Sequence, residues 1–221
     1  MDLQVMRIER LERVADPWGQ GTAVWKDRVA KAEYRRVVGG LAWPFDARPG
    51  AVVVLAELAG LEPGMEIHGV EVAAEGVRDD PGALLRLASD WQVRLGCLGW
   101  VTGLDAPEMA LVHAYNEERR RLRQPVLSCA MPPAVNGTRG FRGYDRLLER
   151  RTRGQKTLTF GEKSLVAREY KVRQRADLER RLEVFPLLAA FLWALAEIDL
   201  NTPAGGTVHR APARRTGVGG Y

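Results

Sequence analysis

Two aspartates that follow apolar runs, Asp46 and Asp105, and one arginine-rich stretch are the residues whose types and spacing could do chemistry in this chain. Asp46 follows "RRVVGGLAWPF" and Asp105 follows "CLGWVTGL". If those runs are neighbouring strands, their ends bring two carboxylates to one edge, where a hard cation such as Mg or Mn takes oxygen ligands. Both residues also have ordinary uses, Asp46 in a turn and Asp105 as a helix cap. The stretch "TRGFRGYDRLLERRTRGQK" interleaves Arg139, Arg142, Arg146, Arg150, Arg151, Arg153 and Lys156 with Phe141 and Tyr144. Such spacing can follow a phosphate backbone, and it equally fits a solvated helix face paired with Asp145 and Glu149, or an acidic protein partner. There is no GxxxxGK[ST], no HExxH and no paired CxxC, which excludes ATP hydrolysis by the usual phosphate loop and the zinc sites with those spacings. His68, His113 and His209 are scattered, and Cys97 and Cys129 read as small buried hydrophobes. No cofactor is expected from this inventory, with Mg or Mn entering only if Asp46 and Asp105 form a metal site.

Charge sharpens the reading. The 221 residues carry a net charge of +5, with 46% hydrophobic and 28% charged residues, the composition of an ordinary globular protein. The excess is local: residues 139–181 hold 14 Lys and Arg against 6 Asp and Glu, a net of +8, while the remainder sums to −3. Nucleic acid is the partner this localisation points to. The longest apolar run, Val184 to Ile198, contains Pro186 and falls short of the roughly 18 residues a membrane span needs, so a buried helix is expected. The opening "MDLQVMRIERLERVADPWG" is charged and lacks the apolar core of a secretion signal, so a cytoplasmic home is expected.

These candidates need elements to position them. Residues 1–33 read as an N-terminal arm or cover, in which "MRIERLERV" suits a short helix or an edge strand and "AVWKDRVAKAEYRR" a helix. "RRVVGGLAW" and "AVVVLAELA" are β-branched runs separated by "PFDARPG", a hairpin-like connection. "MEIHGVEVAAEG" alternates at period two as a half-exposed third strand, and Glu57 and Glu71 are expected to face outward. "DDPGALLRLASDWQVRLG" is a helix capped by Asp79 or Asp80 and ended by Gly96. "CLGWVTGL" gives a fourth strand, "DAPEMALVHAYNEERRRLR" a second helix and "PVLSCAM" a fifth strand. Beyond these, "FRGYDRLLERRTRG" reads as a basic helix, "QKTLTF" as a short strand and 162–200 as one or two helices, the last strongly apolar. Trp43 and Trp193 are expected in the core. Residues 201–221, "NTPAGGTVHRAPARRTGVGGY", have no apolar period and read as a flexible Gly/Arg-rich tail.

The order βββαβαβ is the signature of an α/β ribonuclease H-like mixed sheet flanked by helices, here over residues 34–200. Over roughly residues 35–200 the chain resembles the nuclease domain of the large terminase subunit, in the order and apolar texture of its elements. "RRVVGGLAWPFDARPGAVVVLAEL", "CLGWVTGLDAPEMALV" and "LLAAFLWALAE" are the stretches similar to that family's metal-bearing places. The resemblance implies a carboxylate cluster clamping two divalent ions. Its three acids would fall near Leu41 or Ala42, near Thr102 and near Ala189, all apolar or neutral here. A catalytically degenerate, DNA-binding relative is therefore expected, at work in a phage-infected cell or a virion assembly. Two other readings stay open: a structural or adaptor subunit of a larger assembly with protein partners, and a Mg- or Mn-dependent endonuclease using the displaced Asp46 and Asp105.

Overall fold

The computed structural model describes residues 2–14, 24–44, 46–58, 69–103, 106–130, 158–171 and 184–200. Leu3–Met6 (β1), Glu12–Val14 (β2) and Val24–Asp27 (β3) precede three longer strands, Ala32–Ala42 (β4), Gly50–Leu58 (β5) and Val70–Arg78 (β6). Pro81–Leu95 (α1), Trp100–Thr102 (β7), Ala106–Arg121 (α2) and Cys129–Ala130 (β8) come next in the chain. Leu158–Thr159 (β9), Leu165–Lys171 (α3) and Pro186–Leu200 (α4) complete the described elements. No described helix is long and apolar enough to cross a membrane.

Local chemistry accounts for most of these boundaries. Asp80, in extended backbone, accepts the Ala83 amide at 2.6 Å, Pro81 opens the first turn of α1, and Gly96 ends it in the left-handed region at φ 64. The expected helix over "AVWKDRVAKAEYRR" is instead a hairpin, because Asp27 accepts the Val29 amide and Lys31 adopts φ 54, turning the chain so that Trp25 pairs with Tyr34. The strand expected over 65–76 is described as Val70–Arg78, with Met65 to His68 outside the described residues. It is buried along its length and not half-exposed, since helices cover both faces of the sheet at this strand. The fourth and fifth strands shrink to three and two residues.

One mixed sheet, mostly antiparallel, joins all nine described strands. β4, β5 and β6 pair antiparallel in chain order, β7 runs parallel to β4 and β8 parallel to β7. β3 pairs the opening residues of β4 and β7 its closing residues Gly39 to Leu41, so two strands share one edge of β4 end to end. The outer edge of β6 is divided in the same way: β1 takes Ala74 to Val77 and β9 takes Val70 and Glu71.

Each face of the sheet has its own core. α4 lies on one, where Leu188, Phe191 and Leu195 pack with Val38, Val53, Leu55 and Val72, and Val166 of α3 joins them. α1 lies on the other, where Leu84, Trp91 and Leu95 meet Val37, Leu41, Val52 and Trp100. Ile8, Leu11 and Trp25, from the segment read as an arm, are buried in this second core. Full burial of such side chains stabilises by about 1.5–3 kcal/mol each, so both helices are fastened mainly by apolar area. α4 approaches unusually closely, because Gly40 has no side chain: a Cβ there would stand 1.8 Å from the Ala190 carbonyl oxygen.

Candidate functional site

The ends of β4 and β7 are the place where the expected metal chemistry would sit. Leu41 pairs with Thr102 in the parallel register, and both are fully buried. Ala42 and Ala189 lie in the core on the α4 face, and the Gly40 contact with Ala190 brings the first turns of α4 onto the end of β4. Trp43 donates its indole N–H to the Gly103 carbonyl at 2.8 Å, tying the two strand ends together, and Trp193 stands 3.7 Å from where a Gly103 Cβ would be. Trp43 and Trp193, expected in the core, are half-buried and pack against the two cores from opposite faces. Leu41 faces the α1 core and Ala42 and Ala189 the α4 core, so these positions lie on both faces of two neighbouring strand ends, and none of the four carries a group able to ligate a hard cation strongly.

Asp46 is an exposed turn residue with φ 46, followed by Ala47 at φ 59. It lines an open pocket of about 260 Å³ with Pro44, Ala47, Arg48 and Asp79. The carboxylate that shares this pocket is thus Asp79, which sequence reasoning considers only as a cap; Asp105 lies outside the described residues, as do His68 and His209. His113 is exposed on α2. No group of three or more His, Cys, Asp or Glu that could hold a metal occurs among the described residues.

The sheet does hold buried carboxylates, and they are engaged elsewhere. Glu57 and Glu71, expected to face outward, are 1% and 7% exposed. Glu57 accepts from Arg35 and, at 2.6 Å, from Arg36 Nε, and Arg36 Nη2 also donates to the Ile198 carbonyl at 3.1 Å near the end of α4. Burial works to raise the Glu57 pKa, but the hydrogen bonds and charges of Arg35 and Arg36 outweigh it and hold the carboxyl below its ordinary range. On the opposite face Glu71 accepts from the Tyr34 hydroxyl at 2.9 Å and pairs with Arg7 at 2.7 Å. Burial, then the Glu71 charge and hydrogen bond, push the Tyr34 phenol far above its usual value, so it stays a donor.

Glu75, 2% exposed, accepts the Val166 amide at 2.6 Å, with further hydrogen bonds from Ser164 and the Leu165 amide. Burial raises its pKa, and these hydrogen bonds and the Arg168 charge only partly offset the rise. The two thiols behave as small apolar groups: burial pushes Cys129 up to about 12 and Cys97 higher, which leaves both protonated. Sequence reasoning misses these engaged acids. Glutamates inside β-branched runs are the available signal, because a strand buried on both faces tolerates a charge only if it is paired.

The basic positions Arg139, Arg142, Arg146, Arg150, Arg151, Arg153 and Lys156, and the tail 201–221, lie outside the described residues. The chain matches no protein-family model and no curated protein.

Proposed function

We propose that this chain is a nucleic-acid-associated protein on a ribonuclease H-like scaffold, similar to a terminase nuclease domain, that binds or positions DNA without cutting it. The fold part of the reading is supported by the pairing order β6-β5-β4-β7-β8, with an antiparallel three-strand half continuing into β7 and β8 parallel to β4. The observation that carries the loss of cleavage is that Leu41 and Thr102, paired at the ends of β4 and β7, and Ala42 and Ala189, in the core on the α4 face, include no carboxylate. The buried glutamates of the sheet offer no replacement, since each is bound to arginine, tyrosine or backbone partners. Binding itself rests on the sequence charge of +8 over residues 139–181.

The test is fluorescence anisotropy of labelled duplex and single-stranded DNA over a salt series. Affinity should fall steeply with salt, and replacing Arg142, Arg146 and Arg150 by Glu should lower the log–log slope by about 0.9 for each phosphate no longer neutralised. Low-salt binding no tighter than that of a neutral control protein would overturn the reading. Supercoiled plasmid incubated with Mg or Mn should stay intact. Nicking that disappears in Asp105→Ala would replace it with the endonuclease reading.

A further inference from the structure

α3 has seven residues, too few to be stable alone, and Val166 is the fully buried one among its described side chains. Its first turn is satisfied from two directions. Ser164 Oγ accepts the Ala167 amide at 3.1 Å as a local cap, while Glu75, 91 residues earlier on β6, takes the Val166 amide at 2.6 Å. The Ser164 hydroxyl also bonds Glu75, so the cap and the strand are linked. α3 in turn supplies a carboxylate to α4. The first turn of α4 contains no acid of its own, and Glu169 Oε2 accepts the Leu188 amide there at 3.0 Å. Leu188 is fully buried, so this amide has no water to turn to. A strand carboxylate thus caps one helix, and a carboxylate of that helix caps another.

We propose that Glu75 and Glu169 form a relay that makes docking of α3 on the sheet and formation of the first turn of α4 a single cooperative event. Undocking α3 withdraws Glu169 from Leu188, and fraying α4 breaks that same hydrogen bond and removes the surface against which Val166 packs. By linkage the effect runs equally in both directions. The relay is a conformational device: the two helices open together and uncover Val38, Val53 and Leu55 of the sheet.

Native-state hydrogen exchange on the full chain tests this. Glu75→Ala should speed exchange roughly tenfold or more at Val166 and Ala167 and by a similar factor at Leu188, as loss of a buried acceptor would. Glu169→Ala should speed Leu188 directly and Val166 with it, while amides of α1 between Leu84 and Leu95 keep their wild-type rates. Acceleration of Val166 with Leu188 unchanged overturns the relay, as does equal acceleration throughout α1, which would mean general loss of stability. If Glu75→Ala does not fold, Glu75→Gln and Ser164→Ala perturb the same turn more gently and must still move Leu188.

Discussion

Gly40→Ala strikes the tightest contact that any described glycine makes. The added methyl would stand 1.8 Å from the Ala190 carbonyl oxygen, 2.7 Å from its carbon and 3.1 Å from the Ala194 nitrogen. Ordinary contact begins near 3.4 Å, so α4 would have to retreat by about 1.6 Å. That shift forfeits dispersion contacts along a helix whose Leu188, Phe191, Leu192 and Leu195 are all buried. Overpacking a tight core costs about 1–3 kcal/mol, and a clash with backbone on both sides belongs at or above the upper end, a large share of the ~5–15 kcal/mol that holds a domain folded. Urea unfolding of wild type, Gly40→Ala and Gly161→Ala measures it; Gly161 has nothing within 4 Å of its hypothetical Cβ and should stay within about 0.5 kcal/mol. Ala190→Gly should not rescue Gly40→Ala, because the obstacle is a carbonyl and not a methyl. Gly39→Ala meets the Trp100 ring at 2.1 Å, so its cost should couple to Trp100→Leu in a double-mutant cycle. A Gly40→Ala protein with the wild-type midpoint would refute the close docking of α4 on β4.

The two glutamates on the α4 face should give opposite pH slopes. Glu57 has a lowered folded pKa, so its stabilisation is present above the unfolded value of 4.5 and lost as pH falls through the folded one. Glu75 has a raised folded pKa, so its contribution is complete below 4.5 and lost as pH rises through the raised value; urea midpoints of Glu57→Gln and Glu75→Gln across pH should each lack the corresponding slope. Glu57→Gln should also lower stability at neutral pH by about 3 kcal/mol, the lower end for a broken buried pair because Arg35 reaches water. Asp80→Ala removes the cap of α1 and should cost about 0.5–2 kcal/mol by thermal unfolding. Asn116→Ala frees the Leu127 amide and carbonyl, held at 2.8 and 3.0 Å, and should cost roughly 2 kcal/mol while raising exchange near β8.

How far the sequence can be read depends on where each signal comes from. Val37, Val38 and Val52 to Leu55 announce strands because β-branched side chains suit a sheet covered on both faces. α1 is legible down to its caps, since Asp80, Pro81 and Gly96 act within a few residues of the helix ends they define. The β3–β4 hairpin is not, because "KDRVAKAEYRR" has helical charge spacing and its reversal depends on the Asp27 side chain and on pairing between Trp25 and Tyr34. Glu57 and Glu71 mislead for a related reason. Alternation says that a residue changes face, not which face is covered, and their cations Arg36 and Arg7 sit 21 and 64 positions away. The neutral character of Leu41, Ala42, Thr102 and Ala189 is readable because strand ends are marked by breakers. The meeting of Asp46 with Asp79 is not, for it follows from Gly50 standing opposite Arg78 across the β5–β6 ladder.

The divided edge of β6 has a temporal side. Its later half can be sealed by β1, which leaves the ribosome before β6, but its earlier half waits for Leu158 and Thr159, some 80 residues beyond the end of β6. During synthesis Val70 and Glu71 therefore present an open amide ladder to any passing nascent chain. Glu71 sits in that open half with both of its side-chain partners, Arg7 and Tyr34, already synthesised.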